Sequence, residues 1–153
     1  MINISDILSP KHILLDLDAD TQSKAISKVA ELLEHDSRVK DWSRFYEGVV
    51  ANCSCTTNES GSGICIAHVR TNAVSGMIMA VGRSLEGVPF DEAGLRVRLL
   101  FVIGVPVALA SDYLRIIGAL ARIFRAEKGE AALLTAKTHA AFLDRLCALE
   151  IEM

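Results

Sequence analysis

The chain has 153 residues, 51% of them hydrophobic, with a mean hydropathy of +0.34 and a net charge of −3. This is enough chain and apolar content for one packed domain over residues 1–153, and it excludes disorder. The 16 basic residues are scattered, so no nucleic-acid surface is expected.

The N-terminus, Met1 to Asp6, has neither a basic start nor an apolar stretch typical of a secretory signal. The longest apolar run, Leu99 to Ala110, contains Pro106 and has 12 residues, too few to span a bilayer. A cytoplasmic protein without membrane insertion is expected. Its four cysteines then read as free thiols unless they bind metal.

Ile4 to Leu8 is a short apolar patch closed by Ser9 and Pro10. His12 to Asp18 reads as a strand. Asp20 is the expected cap of a helix whose Ala25, Ile26, Val29, Ala30 and Leu33 share one face. After a polar connection, Asp41 caps a second helix with Trp42, Phe45, Tyr46, Val49 and Val50 on one side. Its pattern stops near Cys53, and Thr56 to Gly63 reads as a loop.

Ile64 to Ala67 is a short strand that ends at His68. Met77 to Val81 is apolar throughout and reads as a strand buried on both faces. Ser84 to Gly94 reads as a polar connection. Val97 to Val105, β-branched and ended by Pro106, is the clearest strand. Ser111 or Asp112 is the expected cap of a third long helix, apolar over most of its girth and so expected at the centre of the packing. Lys128 and Gly129 should end it. A shorter helix over Glu130 to Lys137 and a last one capped by Thr138 complete the chain. These elements predict an α/β (α+β) fold: a mixed sheet with the first two helices forming a crossover that covers one face.

The run Gly61-Ser62-Gly63 lacks the third small residue and the following helix of a dinucleotide fingerprint, and Ser62 is not in a G-x-S-x-G elbow. What stands out is His68 at a strand end with Arg70 two residues on. A histidine so placed suits uptake of a phosphoryl group, although a plain structural histidine fits the local pattern as well. A rival reading groups Cys53, Cys55, Cys65 and His68 as zinc ligands. Against it, Cys65 and His68 are three apart on a strand and face opposite sides, so no metal and no other cofactor is expected. His12, His35 and His139 read as solvated or capping, and Arg115, Arg122 and Arg125 as a solvated helix edge.

The segment from Gly61 to Arg70 resembles the active-site segment of enzyme IIA domains of the bacterial sugar phosphotransferase system. The similarity is to the fructose/mannitol type, which includes the nitrogen-regulatory phosphocarriers. Ile4 to Pro10 is similar to the family's opening, and Val88-Pro89-Phe90-Asp91 with the following strand is similar to its later turn and central strand. The resemblance implies a three-layer fold, a mixed sheet with helices on both faces, and a phosphocarrier in which His68 accepts a phosphoryl group from a histidine phosphocarrier protein. The group would pass to a sugar-permease component, or phosphorylation would signal to a regulatory target. Gly61, Ser62, Gly63 and Arg70 would help hold the phosphoryl group.

The segment departs from the family's pattern. Ala67 and Val69 replace the proline and glycine that flank the histidine. Asn52 and Cys53 stand where an Arg-Glu pair is usual, and Tyr113 stands where a second histidine is usual. Asn52 and Tyr113 are therefore expected beside the pocket without the cationic charge usual there. An alternative follows from these departures: a module that binds proteins, as a homodimer or with a target, independently of phosphorylation.

Overall fold

The structure is a computed structural model that describes residues 2–58, 61–90, 94–125 and 127–151. Its sheet has five strands in the order β1-β4-β5-β3-β2: β1 (Ile13–Leu14), β2 (Cys53–Thr57), β3 (Gly63–Arg70), β4 (Ile78–Pro89) and β5 (Arg96–Val105). The β1/β4 and β3/β5 pairs are parallel, while β4/β5 and β2/β3 are antiparallel. The sheet is mixed, as expected.

Helices cover both faces. On one lie α2 (Gln22–Ala30) and α3 (Trp42–Ala51), whose Ile26, Val29, Phe45 and Val49 pack on Cys65, Ala67, Leu100 and Val102. On the other lie α1 (Ile4–Ile7), α4 (Ala110–Arg125), α5 (Glu127–Leu134) and α6 (His139–Ile151). Their Ile7, Ile116, Leu120, Phe124 and Phe142 pack on Ile64, Phe101 and Ile103. Alternation along β5 sends Leu100 and Val102 to one core and Phe101 and Ile103 to the other, so the strand reads as a continuous apolar run. No helix among the described residues is long and apolar enough to cross a membrane.

Several expectations shift. The strand expected over His12 to Asp18 is only Ile13–Leu14, because Pro10–His12 forms a 3-10 turn. Thr21, not Asp20, caps α2 by accepting from the Lys24 N–H at 3.2 Å. Asp41 caps α3 as expected, through the Arg44 N–H at 3.2 Å. The polar connection expected from Ser84 is the second half of β4, which pairs again at Val88 and Pro89 after a register shift. Of that connection, residues 91–93 lie outside the described residues.

A 3-10 turn over Val107–Leu109 leads directly into α4, so neither Ser111 nor Asp112 caps it. Nor is α4 central: Leu114 is 68% exposed and only one side of the helix is buried. Lys128 and Gly129 lie within α5 rather than ending α4.

Two polar groups are buried in the layers around the sheet, the first against expectation. His12 is buried, with Nδ1 3.3 Å from Ser9 Oγ and Nε2 3.8 Å from the Asp36 carboxylate, which Arg38 grips through Nε and Nη2 at 2.9 Å each. Arg83 on β4 is buried too, donating to the carbonyls of Leu15, Leu133 and Ala136 and so tying the end of α5 to the sheet.

Candidate functional site

β3 and β5 run parallel and end together at Arg70 and Val105. The crevice beyond the carboxyl ends of parallel strands is where α/β sheets commonly place ligands. His68 is the last residue of β3 on this face before exposed Arg70, and it is half-buried. Its N–H donates to the Asn52 carbonyl at 2.9 Å, which fixes the end of β3 to the segment between α3 and β2. Pro106 and the turn after it fold α4 back over the strand end, bringing Tyr113 onto His68. The two rings lie 5.1 Å apart between centroids at 28° between planes.

The ring nitrogens differ. Nδ1 is buried with no hydrogen-bond partner. Nε2 makes no hydrogen bond within the described protein, and it is not among the buried polar atoms. Among the described residues, no hydroxyl or carbonyl holds the inner nitrogen. Burial lowers the His68 pKa below its ordinary value, which keeps the ring neutral and its outer nitrogen nucleophilic near neutrality. Burial likewise pushes the Tyr113 phenol up to about 12, so it stays an uncharged donor.

His68 and Tyr113 line a cavity of about 290 Å³ with Ser54, Thr56, Ile64, Ile66 and Ile117. A second cavity of about 300 Å³ shares Thr56, Ile64 and Ile66 and reaches Asn58 and Arg125. Together they form a groove between the edge strand β2 and α4. Sequence reasoning missed the wall that β2 makes, having read Thr56 onward as loop. The signal was the alternation in Cys53-Ser54-Cys55-Thr56, which puts Ser54 and Thr56 on one face and the cysteines on the other.

The remaining candidates fall into two groups. Arg70 shares the face of His68 and is exposed. Asn52 adjoins His68 through its backbone only, since its side chain donates to the Gly48 carbonyl at 2.8 Å and closes the end of α3. The Gly61 to Gly63 run is not within reach: five residues at ~3.3 Å each put Gly63 roughly 16 Å from His68 along β3. Nor are its amides free to form an anion nest. The Gly61 N–H donates to the Asn58 carbonyl and the Ser62 N–H to Asn58 Oδ1, which closes the β2–β3 turn on itself.

The cysteines are not a zinc site with His68, because Cys65 and His68 face opposite sides of β3. Nor are all four free thiols: Cys55 and Cys65 form a disulfide across the β2–β3 pair.

Residues 6–148 match the family model of the phosphoenolpyruvate-dependent sugar phosphotransferase system, EIIA 2. The chain belongs to this enzyme IIA family. It is 34% identical over 137 residues to the PTS system fructose-specific EIIA component of Haloferax volcanii, covering 89% of each chain. The nitrogen regulatory protein IIA-Ntr of Neisseria meningitidis superposes with a TM-score of 0.79 at 25% identity, over 94% of this chain and 98% of that one. The mannitol enzyme IIA of Escherichia coli, solved in complex with phosphorylated enzyme IIB, shares the fold with a TM-score of 0.70 at 17% identity, over 92% and 97% of the two chains.

Membership assigns a phosphocarrier or regulatory role in that system. Within this enzyme IIA frame, Val69 has a structural counterpart. A Cβ on Gly48 of α3 would stand 3.0 Å from the Val69 Cβ and closer still to its Cγ2. The space a glycine would leave beside His68 is thus supplied by a glycine on the helix packed against it.

Proposed function

We propose that His68 carries a phosphoryl group on Nε2. The observation that supports this most is the asymmetry of the imidazole: Nδ1 is buried and Nε2 is not, on a ring that lines the groove and that burial keeps neutral. In the transfer, the Nε2 lone pair attacks phosphorus, a new N–P bond forms and the bond to the donor breaks. The donor would be a phosphorylated histidine phosphocarrier protein of the cytoplasm. The acceptor would be a sugar-permease component such as an enzyme IIB, the kind of protein solved with the Escherichia coli relative. A regulatory target that senses the phosphorylated state is the other destination.

The chain's own residues position the transfer. The Asn52 carbonyl holds the His68 backbone, and the Tyr113 ring fixes the imidazole plane. The Tyr113, Ser54 and Thr56 hydroxyls stand in the groove as donors toward phosphoryl oxygens, and Arg70 adds a positive charge at the strand end.

A second reading rests on one observation. The Asn52 side chain is spent on Gly48, so no arginine-like phosphate ligand stands at that position. On this reading the fold acts as a phosphorylation-independent binding module. Incubation with phosphorylated carrier separates the two. Acid-labile, base-stable label in the wild type, absent from His68→Ala, supports the carrier. Full labelling of His68→Ala removes His68 from the mechanism.

A further inference from the structure

The face of β2 and β3 turned away from His68 carries a second cluster, independent of the phosphoryl reading. Cys53 and Cys55 are two apart on β2 and share a face, and Cys65 pairs directly with Cys55 across the ladder. The three Sγ atoms all lie within 4.8 Å of one another. Cys55 and Cys65 are joined as a disulfide with Cα atoms 4.1 Å apart, and Cys53 is a free thiol. The disulfide accounts for two of these sulfurs and leaves the third, beside it, without a role.

Three sulfurs converging from paired strands match the preference of soft ions for thiolate. With metal–sulfur bonds of about 2.3 Å, sulfurs around one ion stand roughly 3.7–4.0 Å apart, within the span the cluster allows. Cys65 is fully buried and Cys53 half-buried, so the cluster is shielded from solvent on the face of the sheet that α2 and α3 cover. The Gln22 side chain hydrogen-bonds to Cys53 from α2. Cys147, the remaining cysteine, lies on α6 in the helix layer of the other face.

We propose that, once the Cys55–Cys65 disulfide is reduced, Cys53, Cys55 and Cys65 form a three-thiolate site for a thiophilic d10 ion of the zinc(II) class. A dithiol reductant supplies two electrons and two protons. The Cys55–Cys65 bond breaks, both sulfurs become thiols and the reductant's own sulfurs pair as a disulfide. The ion then forms three metal–sulfur bonds, displaces three protons to solvent and keeps a fourth position for water. Disulfide and metal are two closures of one constellation. Each pins β2, whose other face is the Ser54 and Thr56 wall of the His68 groove, to β3.

The test is a titration of the full chain with cobalt(II), followed by displacement with zinc(II), after reduction with a phosphine. One equivalent should give a sulfur-to-cobalt charge-transfer band, zinc should abolish it, and about three protons should be released per ion. Cys53→Ser should weaken binding by more than about tenfold, and Cys147→Ser should leave it unchanged. The oxidised protein should give no band. A reduced wild type without the band overturns the proposal, as does a Cys53→Ser variant that binds as tightly as wild type.

Discussion

The His68 imidazole lies stacked against the Tyr113 ring, with centroids 5.1 Å apart. The phenol covers part of the imidazole and contributes to the burial that lowers its pKa. Tyr113→Ala should therefore move the His68 pKa upward toward its ordinary value, read from the imidazole proton shifts by NMR. Tyr113→Phe keeps the ring and should leave that pKa nearly unchanged. It removes one donor, so phosphoryl transfer should slow by about five- to tenfold, in line with roughly 1 kcal/mol for one hydrogen bond.

Gly48 and Val69 form the second relationship that shapes the site, since a side chain on Gly48 runs into Val69. Gly48→Ala should destabilise the fold by about 1–3 kcal/mol through overpacking, despite alanine's better helix propensity. Val69→Ala in that background should recover most of the loss. Urea unfolding of the two variants and the wild type checks this.

Much of this architecture was legible in the sequence because burial wrote it there. The apolar runs of β4 and β5, and the one-sided patterns of α2 and α3, follow from two cores on either side of one sheet. Strand β2 was easily overlooked. It alternates Cys with Ser and Thr but, as a mostly exposed edge strand, carries no run of large apolar residues to mark it. The second half of β4 was hidden for a related reason: the Arg83–Val88 irregularity and Gly87 in a left-handed conformation imitate a turn. In the site, His68 and Tyr113 could be placed from the sequence. The separation of the Gly61–Gly63 turn from His68 was legible too, since a strand over Ile64–Ala67 already stands between them; only the family resemblance drew the turn into the site.

The buried His12 should make stability depend on pH. Desolvation is the largest influence on it and lowers its folded pKa below 6.5, with Asp36 partly opposing. The unfolded chain then binds the proton first. Stability is full above pH 6.5 and falls as the pH drops through the lower folded value. The Asp36 carboxyl, held down by the Arg38 guanidinium, extends the loss as the pH falls below the ordinary carboxylate range. Unfolding free energies should be level from pH 7.5 to about 6.5 and fall from there to pH 4. Asp36→Asn should lower the pH 7.5 value by about 1.5–3 kcal/mol, since it removes a hydrogen-bonded charge that is itself largely buried.

The central claim is that the outer nitrogen of His68 carries the phosphoryl group. Phosphorus and nitrogen-15 NMR of the protein after incubation with phosphorylated histidine phosphocarrier protein tests it most directly. The account predicts one phosphoramidate, on Nε2 of His68, that vanishes in His68→Ala. A phosphoryl group on Nδ1 or on another residue, or no signal from a carrier that phosphorylates a known enzyme IIA, would contradict it.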